Sequence, residues 1–212
     1  MPFTVSVPAS DRALVTLAEV KAYLSIATET TTYDTSLTAL SLRVSDMVSD
    51  FCAVAATGVT IPTLRAETLV CTVFPTRCSL HLILPRSFVA SITSVVENDE
   101  TLTADDYRVD ESGKSLLRLN SQGLPCYWPM GEIVVTGVFG FTTVPEALKL
   151  ACLTAVQERW SAQTRDPLLK AETADGIGRF EYWVGGLAKA GMGPFSAEVS
   201  EMLMPYRTMV IA

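Results

Sequence analysis

Between residues 34 and 52, apolar side chains recur at Leu37, Leu40, Val44, Met47, Val48 and Phe51. Spacings of three and four residues put them on one stripe of an otherwise polar helix. Ahead of it, TLAEVKAYL predicts a shorter helix ending near Leu24. Its start is marked twice, by a T-x-x-E capping box at Thr16 and Glu19 and by Val15 and Val20 as a hydrophobic staple. The polar turn TETTTY joins the two helices, with Asp34 placed to cap the second. The first helix is too short to cover the stripe, so a partner has to come from further along the chain.

Past Phe51 the helical periodicity stops. Residues 68–74 (TLVCTVF), 79–84 (SLHLIL), 90–96 (ASITSVV), 107–109, 115–119 and 133–139 are short runs rich in Val, Ile, Leu and Thr. Pro75, Pro85 and the Asn98-Asp99 pair fall between them, as turn residues do, and the spacing predicts antiparallel strands. Helical signals return at Thr143, where Thr-Val-Pro-Glu reads as a second capping box. Leu148, Ala151, Cys152, Ala155, Val156 and Trp160 form the apolar face of that long helix, and its small residues permit close approach to the earlier stripe. From 161 to 193 periodicity is lost and Gly176, Gly178, Gly185, Gly186, Gly191 and Gly193 accumulate, predicting a long flexible loop. Ser196 caps a last short helix carrying Val199, Met202 and Leu203, which Pro205 ends before YRTMVIA. The reading is an α+β fold: a helical bundle core (1–163) with an inserted antiparallel β section at about 60–143, a Gly-rich loop (164–195) and a C-terminal arm (196–212).

Composition narrows the function. With 212 residues, 49% of them hydrophobic, the chain can bury a proper core. Its net charge of −7, from 16 Lys and Arg against 23 Asp and Glu, argues against a protein that grips phosphate backbones. The cysteines, Cys52, Cys71, Cys78, Cys126 and Cys152, are odd in number and never in C-x-x-C, which points to reduced structural thiols. The opening MPFTVSVPAS has no basic n-region or long apolar h-region, and no uncharged run reaches a membrane span, so a soluble chain without a cleaved signal is expected.

No catalytic, cofactor or metal constellation assembles. His81 is the sole histidine and sits in a strand pattern, which excludes sites built on several imidazoles. Gly113-Lys114-Ser115 imitates the end of a phosphate loop, but the first glycine of that motif would stand where Arg108 is, so a hairpin turn is the better reading. Gly176-x-Gly178 lacks the third glycine of a dinucleotide fingerprint. Asp105, Asp106, Asp110 and Glu111 lack the order of a calcium loop and read as a solvated hairpin face. Trp128, Trp160, Trp183 and Tyr182 are candidate interface anchors, although Trp160 at helical spacing suits a core.

The succession LVTLAEVKAYL, TYDTSLTALSLRVSDMVSDFC, a β section with YRV and GEIVVTGVFGF, then VPEALKLACLTAVQERW and EVSEMLMPYR resembles the head-tail connector or adaptor proteins of long-tailed bacteriophages and gene transfer agents. The resemblance covers most of the chain in the family's order. It departs in the β section, which is longer than in the minimal, nearly all-helical members. It implies a structural virion protein, not an enzyme and without cofactor, found in the neck between capsid and tail after assembly in the host cytoplasm. It implies a homo-oligomeric ring of about twelve copies under the portal, joined to a head-closure or tail protein and passing double-stranded DNA without tight binding. A tail-completion or stopper protein is the alternative, and a small hydrolase using the acidic hairpin a further one. Within that frame Val199, Met202, Leu203, Tyr206 and Arg207 are the expected portal contacts, because so short a helix and its apolar residues need a surface; folding back on the chain's own helices is the alternative. Phe180, Tyr182 and Trp183 are the expected contacts between subunits, on a loop that orders on assembly.

Overall fold

The computed structural model describes residues 2–58, 60–111, 113–163, 171–174, 178–181 and 194–208. The chain divides into two compact units, one of Met1–Arg12, Ala53–Val144 and Thr208–Ala212, the other of Ala13–Cys52 and Pro145–Arg207.

The first unit is built on strands β1 (Phe3–Val7), β2 (Glu67–Val73), β3 (His81–Ile83), β4 (Val89–Glu97), β5 (Glu100–Thr101), β6 (Tyr107–Val109), β7 (Ser115–Leu119), β8 (Pro125–Cys126) and β9 (Ile133–Phe139). One sheet runs β1-β2-β9-β4-β5 and the other β3-β7-β6, with β8 paired to β7. All these strand pairs are antiparallel. β2 and β9 alternate buried and half-buried residues, the two-residue period of strands with one face on a core. Leu69, Cys71, Val73, Ile133, Val135 and Phe139 of the larger sheet join Leu82 and Leu116 of the smaller one in a single apolar cluster with Trp128. Trp128 is fully buried and donates its indole N–H to the Leu116 carbonyl at 3.0 Å, so it is core rather than an interface anchor. Gly137 faces a register shift in β4. A Cβ there would lie 2.6 Å from the Ser91 carbonyl oxygen, so only glycine lets the irregular strand approach.

The N-terminal residues contribute β1, which pairs Phe3 with Cys71. At its far side the buried Glu67 carboxylate takes Nη1 of the buried Arg86 and, at 3.3 Å, the Ala9 N–H. Arg86 also donates from Nε to the Ala55 carbonyl at 3.0 Å, and its guanidinium lies 5.7 Å from the centre of the Phe3 ring.

The second unit holds α1 (Leu17–Tyr23), α2 (Asp34–Phe51), α3 (Glu146–Gln163), a hairpin of β10 (Ala171–Ala174) and β11 (Gly178–Glu181), and α4 (Ala197–Leu203). The predicted capping box is present. Thr16 Oγ1 accepts from the Glu19 N–H at 3.3 Å, and Glu19 Oε2 accepts from the Thr16 N–H at 2.7 Å. On the predicted stripe of α2, Leu37, Leu40, Val44 and Val48 are buried. Interleaved with them, Ser41, Ser45 and Ser49 are buried too, although they look solvent-facing in the sequence. The Ser45 and Ser49 hydroxyls donate to the carbonyls four residues back at 2.8 and 3.0 Å, which satisfies them internally. Ser45 then stands 3.8 Å from the Cys152 sulfur, a close approach of α2 and α3 that small residues permit.

Two caps differ from expectation. Asp34 is the first helical residue, with Tyr33 in the cap position, because its carboxylate pairs with Lys21 at 2.5 Å. Lys21 is only 4% exposed and also donates to the Thr28 carbonyl at 3.1 Å, clamping the turn from both sides. Thr143 lies outside α3, whose first bond runs from the Lys149 N–H to the Pro145 carbonyl at 3.0 Å. The fold is therefore mixed α and β with antiparallel sheets, as expected. The β section, however, is more than an insertion on a helical core, since its two sheets enclose a full apolar cluster of their own. Hairpin β10–β11 falls within the segment expected to be a loop; the remainder of 164–193 lies outside the described residues.

Removing one partner of a buried ion pair strands the other charge. Arg86→Met is expected to lower unfolding free energy by about 3–5 kcal/mol, and adding Glu67→Leu to recover most of it. Urea denaturation of the two variants measures both.

Candidate functional site

The sequence leads to the expectation that the C-terminal arm meets a partner, and the structure shows how that arm is held. Ser196 caps α4 by accepting from the Val199 N–H at 3.4 Å. Just before it Phe195, 2% exposed, packs edge-on against Phe51 at 5.7 Å between ring centres. The Arg159 guanidinium lies 5.1 Å from the Phe195 ring centre and donates to the Pro194 carbonyl at 2.9 Å. Burial holds the Arg159 pKa below its ordinary value. Val199 and Leu203 are fully buried within this unit, and the Cys52 thiol points at the Leu203 carbonyl at 4.0 Å. Of the five residues expected to meet a partner, these two therefore anchor α4 to its own chain. Met202 and Tyr206 are half-buried, and Arg207 is exposed, with its guanidinium 5.6 Å from the Phe51 ring centre. The exposed and half-buried members of the set are thus Met202 on α4, Tyr206 in the 3-10 turn Met204–Tyr206 that follows, and Arg207 just beyond it. Phe195 was missed in the sequence, where a lone aromatic after a Gly-rich segment carries no period.

Tyr182 and Trp183 lie outside the described residues, and Phe180 is described only as a backbone position in β11. Trp160, half-buried, stacks edge-on with Tyr33 at 5.4 Å.

The chemical candidates stay apart. His81 is exposed, and its Nδ1 lies 3.1 Å from the Ser115 hydroxyl. The groove it helps line, of about 340 Å³, is walled by Phe74, Leu82, Ile83 and Trp128 and has no acidic lining residue to orient the ring. Gly113, at φ +64°, makes the turn that joins β6 to β7, and its carbonyl accepts from the Val89 N–H at 3.3 Å. No phosphate cradle forms there. Asp106 is held by Thr103, accepting from its N–H at 2.9 Å and its hydroxyl at 2.7 Å. Those bonds, with Arg118 nearby, keep its pKa below the usual carboxylate range. It serves a turn, not an ion: among the described residues no three His, Cys, Asp or Glu side chains are grouped to hold a metal. No described helix is long and apolar enough to cross a membrane. Burial pushes the thiols up, Cys52 and Cys152 to about 12 and Cys71 to about 11, which removes them as nucleophiles at neutral pH.

A family model described as head completion protein matches residues 13–165. No curated protein matches the chain. Among solved structures, the chain resembles one described as the neck of an empty gene transfer agent particle computed with C6 symmetry, with a TM-score of 0.57 at 17% identity, covering 100% of this chain and 98% of that one. A second, from the virion of a native gene transfer agent particle, gives 0.56 at 16% identity, and a third, from the neck of a native particle computed with C12 symmetry, 0.52 at 15%. Both cover 100% of this chain and 98% of theirs, so the shared fold extends over the whole chain.

A thiol reagent separates the cysteines by burial. In the native protein at mildly alkaline pH, Cys78, which is exposed, is expected to react first and the half-buried Cys126 more slowly. Cys52, Cys71 and Cys152 are expected to react only after unfolding. Mapping the labelled peptides by mass spectrometry checks the order.

Proposed function

Because the chain belongs to the head completion protein family, we propose that it is a head-tail connector, a structural protein that closes into a ring beneath the portal and joins the DNA-filled capsid to the tail. The observation that carries this reading is the end-to-end likeness to chains in gene transfer agent necks, whose descriptions include sixfold and twelvefold symmetry. Rings require heterologous interfaces, in which one surface meets a different one on the neighbour. Phe180, Tyr182 and Trp183 are proposed for that contact. The ring would hold about twelve copies and hand over to a head-closure or tail protein on its far side. Double-stranded DNA would pass through it, and the net charge of −7 suits a conduit that must not hold phosphates.

The arm is proposed to meet the portal through Met202, Tyr206 and Arg207, while the buried Val199 and Leu203 keep α4 in place to present them. In this reading the helical unit supplies the rigid support for a contact made at its last helix.

Electron microscopy of the purified protein mixed with its portal tests the reading; a ring seated on the portal is expected. Tyr206→Ala and Arg207→Ala are each expected to weaken portal binding by about 1–3 kcal/mol while circular dichroism stays unchanged. A chain cut after Met204 that folds and still binds portal as well as the full chain would remove the arm from the contact.

A further inference from the structure

Arg86 is 4% exposed, and its side-chain nitrogens are unequally served. Nε donates to the Ala55 carbonyl at 3.0 Å and Nη1 to the Glu67 carboxylate, whereas Nη2 is buried with no protein acceptor. A buried guanidinium N–H is a strong donor and is rarely left bare. Beside it lies a cavity of about 10 Å³ within the β unit, lined among others by Arg86, Ser87, Thr63, Thr208, Val54 and Leu64. A volume of about 10–15 Å³ on that measure is what one water needs. Two hydroxyls in the wall, Ser87 Oγ and Thr208 Oγ1, lie 3.3 Å apart and can rotate to donate or accept.

We infer that this cavity is a binding site for a single water molecule. The water accepts from Arg86 Nη2 and shares the Ser87 and Thr208 hydroxyls, tying Thr208 to the buried ion pair. Charge decides between water and an anion. Glu67, itself 3% exposed, already balances the guanidinium, so an anion would add an uncompensated buried charge where a neutral acceptor adds none.

Crystals of the full chain, grown with bromide replacing chloride and diffracting to high resolution, test it directly. One density peak within hydrogen-bond distance of Nη2 and without bromine anomalous signal is the expected result. A bromine signal at that position makes the site an anion site and overturns the inference, as does a cavity with no peak. A variant gives an independent sign. Val54→Ile adds a methylene to the cavity wall, and displacing the water is expected to lower Tm by about 3 °C. A rise in Tm would mean that a dry void had been filled, and the inference would fall.

Discussion

Arg86 and Glu67 fix stretches of chain that are otherwise free to settle in more than one way. Glu67 opens β2 and takes the Ala9 N–H beside the guanidinium; Arg86 reaches back to the Ala55 carbonyl and lies over Phe3. Apolar burial has no direction. The cluster of Leu69, Val135 and Phe139 would accept β1 slipped by two residues, since the same face would still point inward. The slip would carry Ala9 away from Glu67 and Phe3 away from the guanidinium. The register of the first strand therefore depends on directional contacts at one buried point.

The helical unit solves the same problem with smaller means. Its helices meet across Ser45 and Cys152, and the hydroxyls that might have demanded water are turned back onto their own helix. Lys21 holds the turn between α1 and α2 through Thr28 and Asp34. Phe195, covered by Phe51 and Arg159, sets where α4 begins. These contacts seat α4, which carries Met202 and leads directly into the turn that holds Tyr206.

Local signals were legible in the sequence, and distant pairings were not. The box of Thr16 and Glu19, the cap at Ser196 and the runs that became β2, β4 and β9 depend on neighbours a few residues away. β1 was missed because FTVSV becomes a strand only by pairing with residues more than sixty positions on. Nothing local in the sequence marks Arg86, Glu67 and Lys21 as charges that will be buried with a partner. For the arm, the apolar residues announced that Val199 and Leu203 need cover, but their spacing cannot say whose surface supplies it. The connector family was visible through the order of its segments, and residues 13–165 carry the family match.

Each unit is assembled from pieces that do not follow one another. β1 waits for β2, and α2 for α3, whose first residue is Glu146. During synthesis the stripe of Leu37, Leu40, Val44 and Val48 leaves the ribosome long before Ala151, Cys152 and Ala155 exist to cover it. Non-local closure of this kind slows folding and lengthens the time that apolar surface stays open to other nascent chains. In the proposed ring every copy would carry that exposure. The interleaved order thus makes yield depend on the rate of translation and on chaperone supply, apart from how stable the finished fold is.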